Sequence, residues 1–319
     1  MNSLSVVIPV FNAEQSLEKL CEQLLPAIKL IASDFEIILV DDGSVDQSWR
    51  MISQLTAVNP HVRGIKLSRN YGQHNALLCG IRAAEFETII TMDDDLQNPV
   101  SEIPKLLHKL DEGFDVVYGA PARQQHGFLR NLASSLTKIA LQNVMGADAA
   151  RNVSAFRAFK TRLRDGFKQY SGPFVSIDVL LAWSTANFAA IKVHHASRKL
   201  GQSNYTLRKL IAHAFNLVTG FSTLPLQLAS LTGFLFTLFG IGILFWVVGR
   251  YLIYGASVPG FAFLASIIAL FSGVQLFALG IFGEYLARIH FRTMDRPPYV
   301  VSKDRNVSEV ILPTAEKTG

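Results

Sequence analysis

Along roughly the first third of the chain, short unbroken apolar runs take turns with sets of apolar residues at helical spacing. Leu4-Ser5-Val6-Val7-Ile8-Pro9-Val10 predicts a buried strand. Leu17, Leu20, Leu24 and Ile28 predict a helix within residues 13–31, with Pro26 bending it or ending it early. Phe35–Val40 predicts a second strand, Asp46 caps a helix to about Val58, Val62–Leu67 is a third strand, and a helix runs from about Gln73 to Ala84. A fourth strand ends at Met92, a helix starts near Ser101, and Phe114–Tyr118 is a fifth strand. Further on, the pattern predicts a helix over 128–145, a strand over 154–160, a helix over 175–186 and a strand over 188–195. Alternation of this kind predicts a parallel, doubly wound α/β sheet, whose ligands bind beyond the carboxyl ends of the strands.

The pattern changes in the last third. Residues 214–249 and 251–283 contain no Asp, Glu, Lys or Arg. Each run exceeds the roughly 20 apolar residues needed to cross a bilayer core, and Arg250, Gly255 and Pro259-Gly260 mark the break between them. Half of the sequence is hydrophobic and only 17% is charged, which is unusual for a wholly soluble protein. The net charge of +5 is placed unevenly: Lys192, Arg198, Lys199, Arg208 and Lys209 precede the first run, and Arg288, Arg292 and Arg296 follow the second. Basic flanks at both outer ends predict a hairpin with both termini in the cytoplasm. The expected organisation is a cytoplasmic domain over 1–205, an amphipathic interfacial helix over 206–222, two transmembrane helices within 223–286 (about 226–250 and 260–284), and a cytoplasmic tail over 287–319 that is polar and loosely ordered beyond Pro297-Pro298. No cleavable leader is expected, because Met1-Asn2-Ser3 runs straight into the first strand. Cys21 and Cys79 fall in helical patterns and read as reduced core residues.

The polar motifs fall where such a sheet binds ligands. Asn12 follows the first strand, Asp41-Asp42-Gly43-Ser44 the second, Arg69-Asn70 the third and Asp93-Asp94-Asp95 the fourth. Asp93 and Asp95, two apart on an extended strand end, point to the same side. Paired carboxylates suit Mg²⁺ or Mn²⁺, which complete their shells with water and substrate phosphates. The acid-free run Val116–Ala147, with Arg123, Arg130 and Lys138, offers cations for a second anion. His74, His126 and His195 lack metal-ligand spacing and read as structural.

Val7–Asn12, Leu39–Ser44 and Met92–Pro99 resemble the three signatures of family 2 glycosyltransferases, which share the GT-A fold. The two apolar runs and Gly280–Ile289 are similar to the polyprenyl-phosphate branch of that family, which moves sugars from nucleotides onto undecaprenyl phosphate. Arg69–His74 and His194-His195-Ala196 resemble the branch that transfers 4-deoxy-4-formamido-arabinose, and a glucosyl branch shares the architecture. The resemblance implies a GT-A (Rossmann-like, mostly parallel) domain followed by a transmembrane hairpin. It implies inverting transfer from a UDP-sugar to undecaprenyl phosphate at the cytoplasmic face of a bacterial inner membrane, for lipopolysaccharide or other envelope glycans.

Site roles follow from the same resemblance. Asp93 and Asp95 hold the metal and donor diphosphate, with Gln97 near the sugar. Pro9, Asn12, Asp41 and Asp42 contact the nucleoside. Arg123, Arg130, Ser134, Arg157 and Arg198 receive the acceptor phosphate. Many relatives carry an Asp just before the Phe-Arg of a later strand, where this chain has Ala155 ahead of Phe156-Arg157. A lipid phosphate, with a second pKa of about 6, is largely dianionic near neutrality and needs no base to activate it. No nucleic-acid partner is expected. Gly233, Gly240, Gly242, Gly273, Gly280 and Gly283 would let helices approach closely enough for a homo-oligomer. The competing readings are a processive polysaccharide synthase, whose Gln-x-x-Arg-Trp string this sequence lacks, and a non-catalytic membrane-anchored nucleotide-binding scaffold.

Overall fold

The computed structural model describes residues 2–121, 152–172, 175–194, 224–255 and 260–302. They divide into two units, one of Met1–Ile211 with Arg296–Gly319 and one of Ala212–Asp295.

In the first unit the elements alternate as the apolar pattern predicts: β1 (Asn2–Val10), α1 (Leu17–Ile31), β2 (Ala32–Asp41), α2 (Ser48–Val58), β3 (Val62–Lys66), α3 (Gln73–Ala83), β4 (Thr88–Thr91), α4 (Ile103–Asp111) and β5 (Val116–Pro121). Then come β6 (Arg157–Lys160), α5 (Ile177–Ser184) and β7 (Phe188–Val193). The sheet order is β3-β2-β1-β4-β6-β5-β7. All neighbours are parallel except β6, which runs antiparallel to both β4 and β5. The inner strands β1 and β2 are buried on both faces, which is why Val6, Val7, Ile8 and Ile37–Val40 form unbroken apolar runs. Pro9 is accommodated in a central strand because Val7 is the last β1 residue paired with β4. By the alternation of a parallel ladder, the N–H that proline lacks would face that same side, beyond the end of β4.

Two expectations need correcting here. Pro26 does not end α1: Leu24 and Ile28 are both buried and hold the helix to the sheet on either side of it. Pro26 itself faces solvent, where water can satisfy the carbonyl it frees. Nor is the whole tail loose. Leu67 bridges Val301 in antiparallel sense, the Ser68 N–H donates to the Val300 carbonyl (2.9 Å) and the Ser302 N–H donates to the Lys66 carbonyl (2.7 Å). Residues 299–302 thus add a short strand to the open edge of β3, an edge that sheet proteins generally cover.

The second unit contains α6 (Leu224–Tyr254) and α7 (Phe261–Thr293). Pro225–Tyr254 and Leu270–Thr293 have the length and composition to cross a membrane, and large apolar side chains such as Leu231, Phe245, Leu252, Phe277 and Leu286 stay exposed along both helices. The pair matches a transmembrane hairpin. The helices meet where Phe236 packs edge-on against Phe271 (5.7 Å between ring centres), and Gly240 leaves room for the Phe271 ring. Helix α7 continues past the predicted end of the span. Glu284 and Arg288, one turn apart, form an ion pair of 2.7 Å that supports the helix there. It stops before Asp295, whose φ of 49° is left-handed, and before Pro297-Pro298. The predicted helices over 128–145 and 206–222 lie outside the described residues.

Candidate active site

The carboxyl ends of β1, β2 and β4 and the loop after β3 form one crevice, tied together by side chain to backbone hydrogen bonds. At the end of β1, Asn12 adopts a left-handed φ of 53°, which Asn tolerates. Its side-chain oxygen accepts from the Val45 N–H (2.9 Å), and its own N–H donates to the Ser44 hydroxyl (3.0 Å). Asn12 therefore staples the β1 turn to the β2 turn. Asp46 adds a second staple, accepting from the N–H groups of Ser48 (3.0 Å) and Glu14 (3.2 Å); it stands one residue before Gln47, the N-cap of α2, and not at the cap itself.

Asp41 and Asp42 divide their tasks. Asp42 is buried, and its two oxygens accept from the N–H groups of Tyr71 (2.7 Å) and Gly72 (2.8 Å), so it anchors the loop that follows β3. Burial raises its pKa, the two amide hydrogen bonds oppose that rise, and neighbouring Asp41 adds to it. Asp41 is fully buried, and one of its oxygens accepts from the Ser44 N–H (3.2 Å). Its other oxygen has no hydrogen-bond partner among the described residues. Burial raises the Asp41 pKa against the Ser44 hydrogen bonds and the charge of Lys66. A buried carboxylate oxygen without a donor costs free energy that a donor supplied by a ligand would recover.

The acidic triplet lies beyond β4. Asp94 reaches back to β1, with one oxygen 3.4 Å from the Phe11 N–H. Desolvation first, and then the Asp93 and Asp95 charges, outweigh the hydrogen bond from Phe11 and push Asp94 up to about 7. Asp93 accepts from the Gln73 side-chain amide (2.7 Å), and Asp95 accepts from the Gln97 N–H (3.1 Å). Leu96 between them holds a φ of 59°, a left-handed conformation that costs a branched residue about 1–3 kcal/mol and gathers at functional sites. Asp93 and Asp95 supply hard oxygen donors on a turn whose middle carboxylate already resists ionisation, a setting that favours a divalent cation. No group of three or more metal-ligating His, Cys, Asp or Glu side chains occurs among the described residues.

The structure rearranges part of the sequence reading. Pro9 is buried within β1 and Gln97 is half-buried beside Asp95. Arg157 is not available to an acceptor phosphate. It is 2% exposed and forms an ion pair with Asp178, whose carboxylate also accepts from the Tyr118 hydroxyl (3.0 Å). The Arg157 guanidinium lies 5.8 Å from the Tyr118 ring centre, and burial together with the Asp178 charge drives the Tyr118 pKa well above 10. Ala155, where many relatives place an acid, offers its carbonyl to the Thr91 hydroxyl (2.7 Å). His74 accepts from the Ile177 N–H (3.3 Å), in keeping with a structural role. Arg123, Arg130, Ser134 and Arg198 lie outside the described residues. Two features escaped the sequence reading: Gln73, which orients Asp93, and the Tyr71-Gly72 amides that hold Asp42. Both lie in the Arg69–His74 stretch, which the sequence singles out only as a branch resemblance; a further signal was Gly72, whose φ of 96° marks a turn that favours glycine. A separate cleft of about 510 Å³, lined by Glu85, Thr88, Asp111, Lys160 and Arg162 among others, opens at the other end of β4 and shares nothing with this crevice.

A mostly parallel sheet with one antiparallel insertion, and an Asp-x-Asp turn at the end of its fourth strand, defines a GT-A glycosyltransferase domain. The chain belongs to glycosyl transferase family 2, whose sequence pattern matches residues 5–170. It is 35% identical to the undecaprenyl-phosphate 4-deoxy-4-formamido-L-arabinose transferase of Proteus mirabilis, over 95% of this chain and 94% of that one. It is 36% identical to the transferase of the same name from Yersinia pestis, with the same coverage. Among solved structures, glucosyl-3-phosphoglycerate synthase from Mycobacterium tuberculosis, in complex with Mn²⁺, UDP-glucose and phosphoglyceric acid, shares the fold. That match has a TM-score of 0.51 at 20% identity and covers 68% of this chain and 78% of that one.

Proposed function

We propose that this enzyme transfers a sugar from a UDP-sugar to undecaprenyl phosphate, with inversion, at the cytoplasmic face of the bacterial inner membrane. The observation that carries the reading is the convergence of Asp41 and Asp42 with Asp93 and Asp95 at one end of the sheet, in a chain similar over 95% of its length to undecaprenyl-phosphate sugar transferases. A 4-deoxy-4-formamido-arabinose donor is the form of the reading that these relatives favour, and it serves modification of lipopolysaccharide.

Asp93 and Asp95 would hold Mg²⁺ or Mn²⁺ together with the donor diphosphate. When bound, such an ion supplies Lewis-acid neutralisation of the charge that grows on departing UDP. The chain's own residues do the rest. Gln73 fixes the orientation of Asp93 by its hydrogen bond of 2.7 Å, and Asp42 holds the Tyr71-Gly72 loop beside the nucleoside position. The free oxygen of Asp41 is suited to accept from a base or ribose donor. The acceptor phosphate, already ionised, attacks the anomeric carbon without a general base as UDP departs, and Ala155, in place of the acid that many family members carry, is a subgroup marker and not a loss of activity. Arg123, Arg130, Ser134 and Arg198 remain the proposed phosphate contacts, and Arg157 leaves that set. Arginine suits the task because its planar fork pairs bidentately with phosphate oxygens.

The test is UDP release by purified protein supplied with UDP-sugars, with and without undecaprenyl phosphate, and with the glycolipid weighed by mass spectrometry. Lipid-dependent release with a new glycolipid supports the reading, and release indifferent to the lipid overturns it. A panel of glucose, 4-formamido-arabinose and N-acetylhexosamine donors identifies the sugar. Asp95→Asn should lower turnover by more than about 10²-fold, the scale on which single contacts to a developing charge act, with an unchanged thermal midpoint.

A further inference from the structure

We propose that Tyr299, with the short strand it begins, is a positioning residue for the donor site. The inference rests on the function proposed above, and deepens it by naming an element that sets donor affinity from outside the crevice.

The segment makes two attachments, one on each side of the loop that Asp42 holds. On one side, Val300 and Ser302 bond to Ser68 and Lys66 at 2.9 and 2.7 Å, and so fix the end of β3. On the other side, the half-buried Tyr299 side chain reaches α3. The Arg82 guanidinium, in the last turn of α3, lies 5.7 Å from the Tyr299 ring centre. Between these attachments runs Arg69-Asn70-Tyr71-Gly72. The Ser68 hydroxyl meets the Tyr71 hydroxyl at 3.0 Å, Tyr71 and Gly72 donate to Asp42, and Gln73 at the start of α3 donates to Asp93. The same loop presses its backbone against Gly43, where even a Cβ would come within 2.5 Å of Arg69 and Asn70.

One short stretch of chain therefore holds the start of a loop that touches the nucleoside and metal halves of the site, and braces the far end of the helix that follows it. A loop ordered before the ligand arrives loses less entropy on binding. Removing the pins should weaken donor binding while the carboxylates and the reacting groups stay as they are. A segment that only covered the sheet edge would affect stability alone.

The experiment uses full-length protein and UDP with Mn²⁺ as the probe, read by calorimetric titration and by steady-state transfer. Tyr299→Ala should raise the UDP Kd and the donor KM about tenfold, with kcat within about twofold of wild type, as expected for binding shared by ground and transition states. Ser302→Pro, which removes only the N–H donated to Lys66, should raise both in the same direction by a smaller factor. Unchanged UDP affinity in a folded Tyr299→Ala protein overturns the inference, as does a fall in kcat at unchanged Kd. If Tyr299→Ala does not fold, Tyr299→Leu decides: UDP binding weakened about threefold or more supports the inference, as loss of the ring face offered to Arg82 would, and wild-type affinity overturns it. A wild-type chain that binds no UDP overturns the donor-site reading as well, an outcome distinct from binding that the variants leave unchanged.

Discussion

Gly43 carries more of the site than its lack of a side chain suggests. Its φ of 71° lies in the left-handed region, and a Cβ there would sit 2.5 Å from the backbone of both Arg69 and Asn70. Gly43→Ala should destabilise the domain by about 1–2 kcal/mol for the conformation alone, with further loss from the displaced loop. UDP binding should weaken in parallel, because that loop is the one Asp42 anchors. Thermal unfolding with a UDP titration checks this; an alanine variant as stable as wild type would mean that the loop does not rest on the turn. At this scale the acidic residues were legible in the sequence because their position at strand ends is itself a pattern. How they divide the work was not. Asp41, Asp42 and Asp94 look alike as letters, yet one keeps a free buried oxygen, one grips two amides and one reaches across to β1. Those differences arise from contacts about 30 to 80 residues distant, which no local spacing encodes.

Among elements, β6 departs furthest from a simple alternating sheet, and its Arg157 is the residue whose role changed most. The family resemblance places Arg157 among the phosphate contacts. Antiparallel insertion of β6 beside β5 sets it opposite Tyr118, and α5 brings in Asp178 to close the ion pair. Neither neighbour can be found from the sequence around Arg157. Arg157→Met would leave the Asp178 carboxylate buried without its cation and should cost about 3–5 kcal/mol. Adding Asp178→Leu should recover part of that loss, since a buried pair replaced by apolar residues is often near neutral; the Tyr118 hydroxyl, deprived of its acceptor, holds back about 1–3 kcal/mol. Thermal melts of the single and double variants test the coupling. If Arg157→Met melted like wild type and lost affinity for the lipid phosphate instead, the guanidinium would belong to the acceptor site.

At the scale of the whole molecule, the charge asymmetry and the tail strand bear on one question, the orientation of the hairpin. The apolar runs were legible because nothing but a membrane or a very large core accommodates them, whereas the tail was misread because its polarity says nothing of the sheet edge it joins. Residues 300–302 bond to the end of β3 after both apolar helices, so the chain returns to the first unit beyond the pair, as a hairpin with both outer ends on one side requires. The basic residues on both outer ends, against Arg250 alone at the break between the apolar runs, favour the cytoplasmic placement proposed above, with Ser257 between the runs on the opposite side. Cysteine labelling suits this protein. Its two native thiols are buried, and burial pushes Cys21 up to about 11 and Cys79 up to about 12, so neither competes for a maleimide. Ser257→Cys should react with a membrane-impermeant maleimide in spheroplasts, while Ser308→Cys should react only in inside-out vesicles. The reverse pattern would place the catalytic domain outside, away from any cytoplasmic nucleotide-sugar pool. Labelling of both positions from one side would mean that the apolar pair does not cross the membrane.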